Sequence, residues 1–357
     1  MNQQIRFCKS FDGTRIAYAV TGQGMPLVKA PHWMTHLEYE WQSPIWRPWI
    51  SALSGEYQLL RMDERACGLS DWEAKDFSFD AFVRDLEAVV DAAGLDRFVL
   101  LGHSQGGAFA IEYAVRHPER VSHLVLLGAY ARGFMKRGLP PERMQELEAQ
   151  LKLIEAGWGR DDPAYRQMFA VQFMPGGTLE QLASMSELQR VSVRSDNAAR
   201  IVRAFFEIDV RESAARVQSP TLLLHARGDR RSPFEEGLLL ASLIPGARLI
   251  PLESNNHVLL EHEPAFRQFF EEVRAFVPRA AGPTARAFEN LTSRETEILE
   301  RIAQGLDNAQ IAAHLGMSEK TVRNHITHIF DKIGVENRSQ AIVRARERGL
   351  GQQSRSS

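Results

Sequence analysis

Through the first 277 residues, short apolar runs alternate with longer stretches in which apolar residues recur every three or four positions. The runs predict strands, and the three-to-four spacing predicts amphipathic helices. Strands are expected at 5–9, 15–20, 26–30, 58–61, 98–101, 122–127, 221–225 and 248–252, and helices at roughly 78–93, 105–116, 234–243 and 263–277. Asp12-Gly13, between the first two strands, marks a hairpin turn. Strands alternating with helices predict the α/β class, with a mostly parallel sheet covered on both faces.

Two stretches break this alternation. Some ninety residues separate the strand ending near Leu127 from the one beginning at Thr221, far more than a direct connection needs. They are helical in pattern and rich in large apolar groups, including Phe134, Met135, Met144, Trp158, Phe169, Phe173, Met174, Met185, Phe205 and Phe206. This predicts a helical cap over about 131–215. Four tryptophans, Trp33, Trp41, Trp46 and Trp49, also cluster after the third strand. Most of these side chains are expected to pack cap on sheet. The second break is PRAAGPTARA, rich in Pro, Ala and Gly, which predicts a linker over 278–288.

Beyond the linker, 289–357 reads as four short helices. Thr292 and Glu295 have capping-box spacing, and Ile298, Leu299, Ile302 and Ala303 form an apolar stripe ending at Gly305. A second helix starts near Asn308, buries Ile311, Ala312 and Leu315, and stops at Gly316. Ser318 caps the third, which is expected to bury Val322, Ile326, Ile329, Phe330 and Ile333, and which Gly334 closes. Lys320, Arg323, Asn324 and Thr327 share another side, flanked by His325, His328 and Lys332. Cations and amides able to bond phosphates and base edges thus gather on one exposed helix. Ala341, Ile342 and Ala345 define a fourth helix ending at Gly349.

This tail resembles the LuxR-type helix-turn-helix, through Leu291, Thr292, Arg294, Glu295, Gly305, Thr321, Val322, His325, Lys332, Gly334 and Val335. The resemblance implies that Lys320, Arg323, Asn324 and His325 face the major groove while Thr321 and Lys332 touch phosphates. From Arg286 onward the chain carries eleven Lys or Arg against nine Asp or Glu, a net of +2, which leaves −4 elsewhere to give the overall −2. One weakly basic copy neutralises few phosphates, so a homodimer on an inverted-repeat operator is expected.

Composition narrows the class. The chain has 357 residues, 44% hydrophobic and 25% charged, which is ordinary globular material with room for two domains. No secretory signal and no run of eighteen apolar residues is present, so no membrane association and a cytoplasmic location are expected. Cys8 and Cys67 are the only cysteines and read as free thiols. The histidines lack metal-ligand spacing, and neither metal nor cofactor is implied.

The strand FVLL runs directly into Gly102-His103-Ser104-Gln105-Gly106 and then a helix. A serine on so tight a strand-to-helix turn is pushed out at the carboxyl end of the sheet. Asp229 follows the strand TLLLH and His257 the strand RLIPL, so acid and imidazole stand at later strand ends in the order Ser, Asp, His. With Asp63-Glu64-Arg65-Ala66-Cys67-Gly68-Leu69-Ser70, these features make the first 277 residues resemble the α/β-hydrolase family. The resemblance implies Ser104 as nucleophile, His257 as base and Asp229 as its orienting acid, with oxyanion donors on the backbone of Trp33 and Gln105. Two positions depart from the family: His32 stands where glycine is usual after the third strand, and Ala66 where glycine is usual in the later run. One lost oxyanion donor costs around 10² to 10³ in rate, so the sequence leaves open whether the triad turns over.

The reading that follows is a DNA-binding transcriptional regulator whose hydrolase-like domain senses a small, mainly apolar ligand bearing an ester, lactone or carbonyl. An active serine esterase or lactonase with a tethered DNA-binding domain, and a catalytically dead dimerisation platform, stand beside it.

Overall fold

Eight strands form one sheet in the order β1-β2-β4-β3-β5-β6-β7-β8. They are β1 (Gln4–Lys9), β2 (Arg15–Thr21), β3 (Pro26–Lys29), β4 (Gln58–Met62), β5 (Phe98–His103), β6 (Val121–Leu127), β7 (Thr221–Ala226) and β8 (Arg248–Leu252). The first pairings, β1 with β2 and β2 with β4, are antiparallel, and the remainder are parallel. The computed structural model describes residues 3–277, 288, 291–335, 337–347 and 350–351. It divides into two units, Met1–Pro278 and Arg279–Ser357. The linker expected at 278–288 lies, apart from Phe288, outside the described residues.

All eight strands fall where apolar runs predict them. The central strands β5 and β7 are buried at every position, as strands covered on both faces must be. Helices α3 (Phe79–Ala92), α4 (Gln105–Arg116), α10 (Phe234–Leu243) and α11 (Pro264–Phe276) also match their patterns. The tryptophan-rich stretch folds into α1 (Leu37–Gln42) and α2 (Trp46–Glu56), which the sequence pattern did not delimit.

The cap consists mainly of α5 (Pro141–Gly157), α6 (Ala164–Phe173), α7 (Leu179–Ser192) and α8 (Ser195–Phe206), followed by the short α9 (Arg211–Ala214). It leaves and rejoins the sheet at one stem. There Arg132 and Asp209 form an antiparallel bridge, the Gly133 amide donates to the Ile208 carbonyl, and the Val210 amide donates to the Ala131 carbonyl. A Cβ on Gly133 would lie 2.3 Å from the Phe205 carbonyl oxygen, so only glycine fits this close crossing. Most of the cap's large apolar side chains are buried, as expected, but Met135 is exposed.

The Asp63–Ser70 run is a structural staple. Asp63 accepts from the amides of Leu37 and Leu69, and Ser70 Oγ bridges the Asp63 carbonyl and the Ala17 amide. Fully buried Arg65 forms a two-pronged ion pair with Asp85 on α3, at 2.7 Å for each bond. Ala66 holds a φ of 65°, the conformation for which the family's usual glycine is suited.

In the second unit, α12 (Ser293–Ala303), α13 (Asn308–Leu315), α14 (Glu319–Ile333) and α15 (Arg338–Glu347) enclose a separate core. Capping boxes at Thr292/Glu295 and Asp307/Gln310 open the first two helices, while Gly316 and Gly334 end the next two turns in the left-handed conformation. The Asp307 box was not anticipated. Gly349, expected to end the fourth helix, lies outside the described residues.

Candidate active site and nucleic-acid interface

Ser104 sits at the β5–α4 turn with φ 56° and ψ −130°, a strained conformation for a side-chain-bearing residue. The small neighbours that make this turn possible have specific contacts. A Cβ on Gly106 would lie 2.3 Å from the Pro31 carbonyl oxygen, and one on Gly102 would lie 2.6 Å from Gly107 Cα. Ser104 N donates to Leu127 O on β6, which anchors the turn to the sheet.

Asp229 follows β7 and His257 follows β8, and the structure brings them together. His257 Nδ1 lies 2.6 Å from Asp229 Oδ2. The other carboxylate oxygen accepts from the Arg231 and Ser232 amides at 2.8 and 2.9 Å. Burial works against the Asp229 charge, but His257 and the Ser232 amide outweigh it and hold the carboxyl below its ordinary range. Gly128, which sequence reasoning missed, forms the floor under this pair. A Cβ there would lie 3.2 Å from the His257 ring and 3.5 Å from Asp229.

The serine and the imidazole share a small cavity with His32, Trp33, Trp46 and Phe173. His257 Nε2, however, has no hydrogen-bond partner among the described residues. Ser104 is therefore beside the base but not engaged by it. Such bonds often tighten only when substrate is bound.

The two expected oxyanion donors, Trp33 and Gln105, line the space over Ser104, and no turn or loop carbonyl accepts from either backbone amide among the described residues. Left-handed φ falls on Met34 (44°), not on His32. The His32 ring instead stacks on Trp46 with centroids 4.1 Å apart and lies 3.5 Å from Glu40. Burial, then Lys29 and His103, push its pKa well down and keep it neutral. Glu64 lies buried near the Gln105 side-chain amide and the Met34 backbone N–H, and burial pushes its pKa well up.

The cap closes over the serine. Trp33, Ser104, Gln105, Tyr130, Phe134, Phe173, Val202, Phe205, Phe206 and Arg231 bound a free space of about 10 Å³, room for a single water. The closed cap is bonded to the histidine loop. The Phe173 carbonyl at the end of α6 accepts from the His257 and Val258 amides, and Asn256 Oδ1 accepts from the Gly176 amide. Trp33 Nε1 donates to Gln189 on α7 at 3.1 Å.

In the second unit, Val322, Ile326, Ile329 and Ile333 of α14 are buried, while Lys320, Thr321, Arg323, Asn324, Thr327 and His328 are exposed and His325 is half-buried. The division of faces matches the apolar spacing. Lys332 is exposed, and its Nζ lies 2.7 and 2.9 Å from the two oxygens of Glu295 on α12, an ion pair that clamps the two helices. The residues are 37 positions apart, and no local pattern reveals the pair.

The same clamp predicts an acid response. Hydrogen bonding from Lys332, with the Thr292 amide and hydroxyl, pushes Glu295 down to about 2. The folded carboxyl ionises more readily than the unfolded one, so its contribution is full above about pH 4.5 and is lost as pH falls through about 2. Because Lys332 is partly solvent-exposed, we expect about 1 to 2 kcal/mol. Hydrogen exchange of the α12 amides in the full chain, corrected for intrinsic rates, should lose protection over that window, and Glu295→Gln should abolish the dependence. A parent profile identical to that of Glu295→Gln would remove the clamp.

Among the described residues, no group of His, Cys, Asp and Glu is arranged to hold a metal ion, and no helix is long and apolar enough to cross a membrane. Cys8 and Cys67 are free thiols, with Cys8 in β1.

Comparison with known proteins agrees with both units. The alpha/beta hydrolase fold family matches residues 39–264. The family of bacterial regulatory proteins of the luxR type matches residues 289–345. An AB hydrolase superfamily protein of Bacillus subtilis, YisY, is 29% identical over 66% of this chain and 86% of its own length. An esterase from Exiguobacterium antarcticum superposes with a TM-score of 0.65 at 25% identity, covering 76% of this chain and 98% of the esterase. Est816, described as an N-acyl homoserine lactone degrading enzyme, gives 0.60 at 25% identity, covering 76% and 100%. The chain therefore belongs to the alpha/beta hydrolase fold family and, by its C-terminal LuxR-type domain, is a DNA-binding regulator.

Proposed function

We propose that the hydrolase unit of this regulator is the sensor for a small, mainly apolar ligand, and that ligand entry beneath the cap controls operator binding. One observation carries the reading: the cap closes to about 10 Å³ over Ser104 while bonded to the His257 loop. Ligand pockets span about 300–1,000 Å³, so entry has to displace the cap and strain the Phe173–His257 bonds. A ligand that favours the opened form shifts the balance between two states in proportion to its unequal affinity for them. We take the output to be a homodimer whose α14 helices meet two half-sites of an inverted repeat, because one weakly basic copy neutralises few phosphates. Lys320, Arg323, Asn324 and His325 are assigned to the groove and Thr321 to phosphate.

Ser104, with His257 and Asp229, is assigned to receive the ligand's carbonyl, with the Trp33 and Gln105 amides facing its oxygen. Esters and lactones are the class supported, since structural relatives are an esterase and an N-acyl homoserine lactone degrading enzyme. Sensing is favoured over constitutive hydrolysis because the unit is joined to a LuxR-type domain and its cavity is closed to about 10 Å³.

The test is selection of DNA from a random pool by the full chain, with and without cell extract, followed by the same measurement on Ser104→Ala. We expect an enriched inverted repeat whose affinity changes with extract, and a response that survives in Ser104→Ala although labelling by a fluorophosphonate is lost. A response that disappears together with labelling shows that the signal must be processed. No enriched sequence, or one indifferent to extract, overturns the sensor assignment.

A further inference from the structure

Arg231 projects its guanidinium into the space that contains Ser104, and nothing described so far uses it. Its central carbon lies 5.4 Å from the centroid of the Trp33 ring and 5.2 Å from those of both Phe134 and Phe173. The acidic groups nearby are occupied. Asp229 is spent on His257 and on the amides of Arg231 and Ser232. Glu236 is paired with Arg132 at 2.7 Å and faces Arg137 at 3.8 Å. No carboxylate lies within ion-pair distance of the Arg231 guanidinium among the described residues.

Three aromatic faces stabilise a cation, yet among the described residues no side chain or carbonyl accepts from the planar fork of N–H donors. Burial lowers the Arg231 pKa to about 10, which still leaves it charged at neutral pH. Arg231 is half-buried, so solvent still reaches part of this donor set, but no anion of the protein balances its charge among the described residues. Its partner is therefore to be sought in what enters the cavity.

We propose that Arg231 is the anion subsite of the cap cavity and that the ligand, besides the ester or lactone carbonyl received at Ser104, carries a carboxylate. Its carboxylate takes two parallel bonds from the guanidinium, and its apolar part lies against Phe134, Phe205 and Phe206. This rests on the reading of the cavity as the ligand site, and it supplies what that reading needs. The fork-to-carboxylate geometry is specific, and its strength grows as water leaves. The carboxylate gives the guanidinium an anion that the protein does not supply, so the filled and empty states differ in stability for a stated reason.

The test uses matched probes on the full chain: 4-phenylbutyrate against 4-phenylbutyramide, and octanoate against octanamide. Binding is followed by tryptophan fluorescence, to which Trp33 contributes. We expect each carboxylate to bind about 10-fold more tightly than its amide. In Arg231→Gln that ratio should fall to near one, and Arg231→Lys should retain part of it. Equal or undetectable binding of acids and amides by the parent overturns the subsite, as does a preference untouched by Arg231→Gln. Thermal unfolding guards against a merely structural role. Arg231→Met should keep or raise the midpoint, because it removes an unpaired charge, and a fall of more than about 5 °C counts against the proposal. Operator binding is measured separately. Acid preference without any change in DNA affinity keeps the subsite and removes the sensor reading, while a response to extract without acid preference does the reverse.

Discussion

Asp85→Ala is expected to lower the stability of the hydrolase unit by about 3 to 5 kcal/mol, because it strips a fully buried guanidinium of its main counter-charge. Arg65 is left with only Asp12 at 3.1 Å, which is partly exposed, and the Asp76 carbonyl at 2.7 Å. Burial itself disfavours the Asp85 carboxylate, so the pair persists through mutual neutralisation, not through any intrinsic comfort of either charge. All six tryptophans lie in the first unit, and urea unfolding of the full chain followed by their fluorescence therefore reports on it alone. Arg65→Met combined with Asp85→Leu should recover much of the loss, since an apolar pair of similar volume requires no desolvation. A cost below about 1 kcal/mol for Asp85→Ala would place the pair in the class of weak surface bridges and contradict its burial.

The second large effect is expected on DNA. Asn324 is exposed on the polar side of α14, one position beyond Arg323 and two beyond the buried Val322. A side-chain amide there can offer both a donor and an acceptor to a base edge, and such pairing is worth about 1 to 3 kcal/mol of discrimination. Asn324→Ala should therefore reduce the affinity ratio between a selected operator and a scrambled duplex by about 10- to 100-fold, with little change on the scrambled duplex. A uniform loss on both would reassign Asn324 to the phosphate backbone, and no loss on either would remove it from the interface.

The sheet was legible because buried parallel strands must be apolar throughout, and the serine turn because its glycines meet backbone atoms that admit no side chain. Other parts were hidden for identifiable reasons. Pro44 and Pro48 interrupt the tryptophan-rich stretch, which obscured α1 and α2 even though Pro48 sits in the tolerant first turn of α2. The oxyanion turn looked compromised at His32 because the family's glycine was read as a conformational need of that position, whereas the structure moves the unusual φ to Met34. Arg231 stands in the polar run RGDRRS and reads as a solvent-facing arginine, since only tertiary packing brings it under Trp33. The Lys332–Glu295 pair was invisible for the same reason. Long-range pairings between charged residues leave no periodic trace, whereas burial does.

The stem at 131–133 and 208–210 also bears on how such a regulator can change what it recognises. Because the intervening chain departs and returns through a single narrow neck, its ends are already held side by side by the scaffold. A foreign segment of different length and contour can be grafted between Arg132 and Asp209 without altering the order of the strands or the DNA-reading helices. Under the proposed sensing role, chemical selectivity and genomic address are thus separable inheritances, exchangeable independently within one polypeptide.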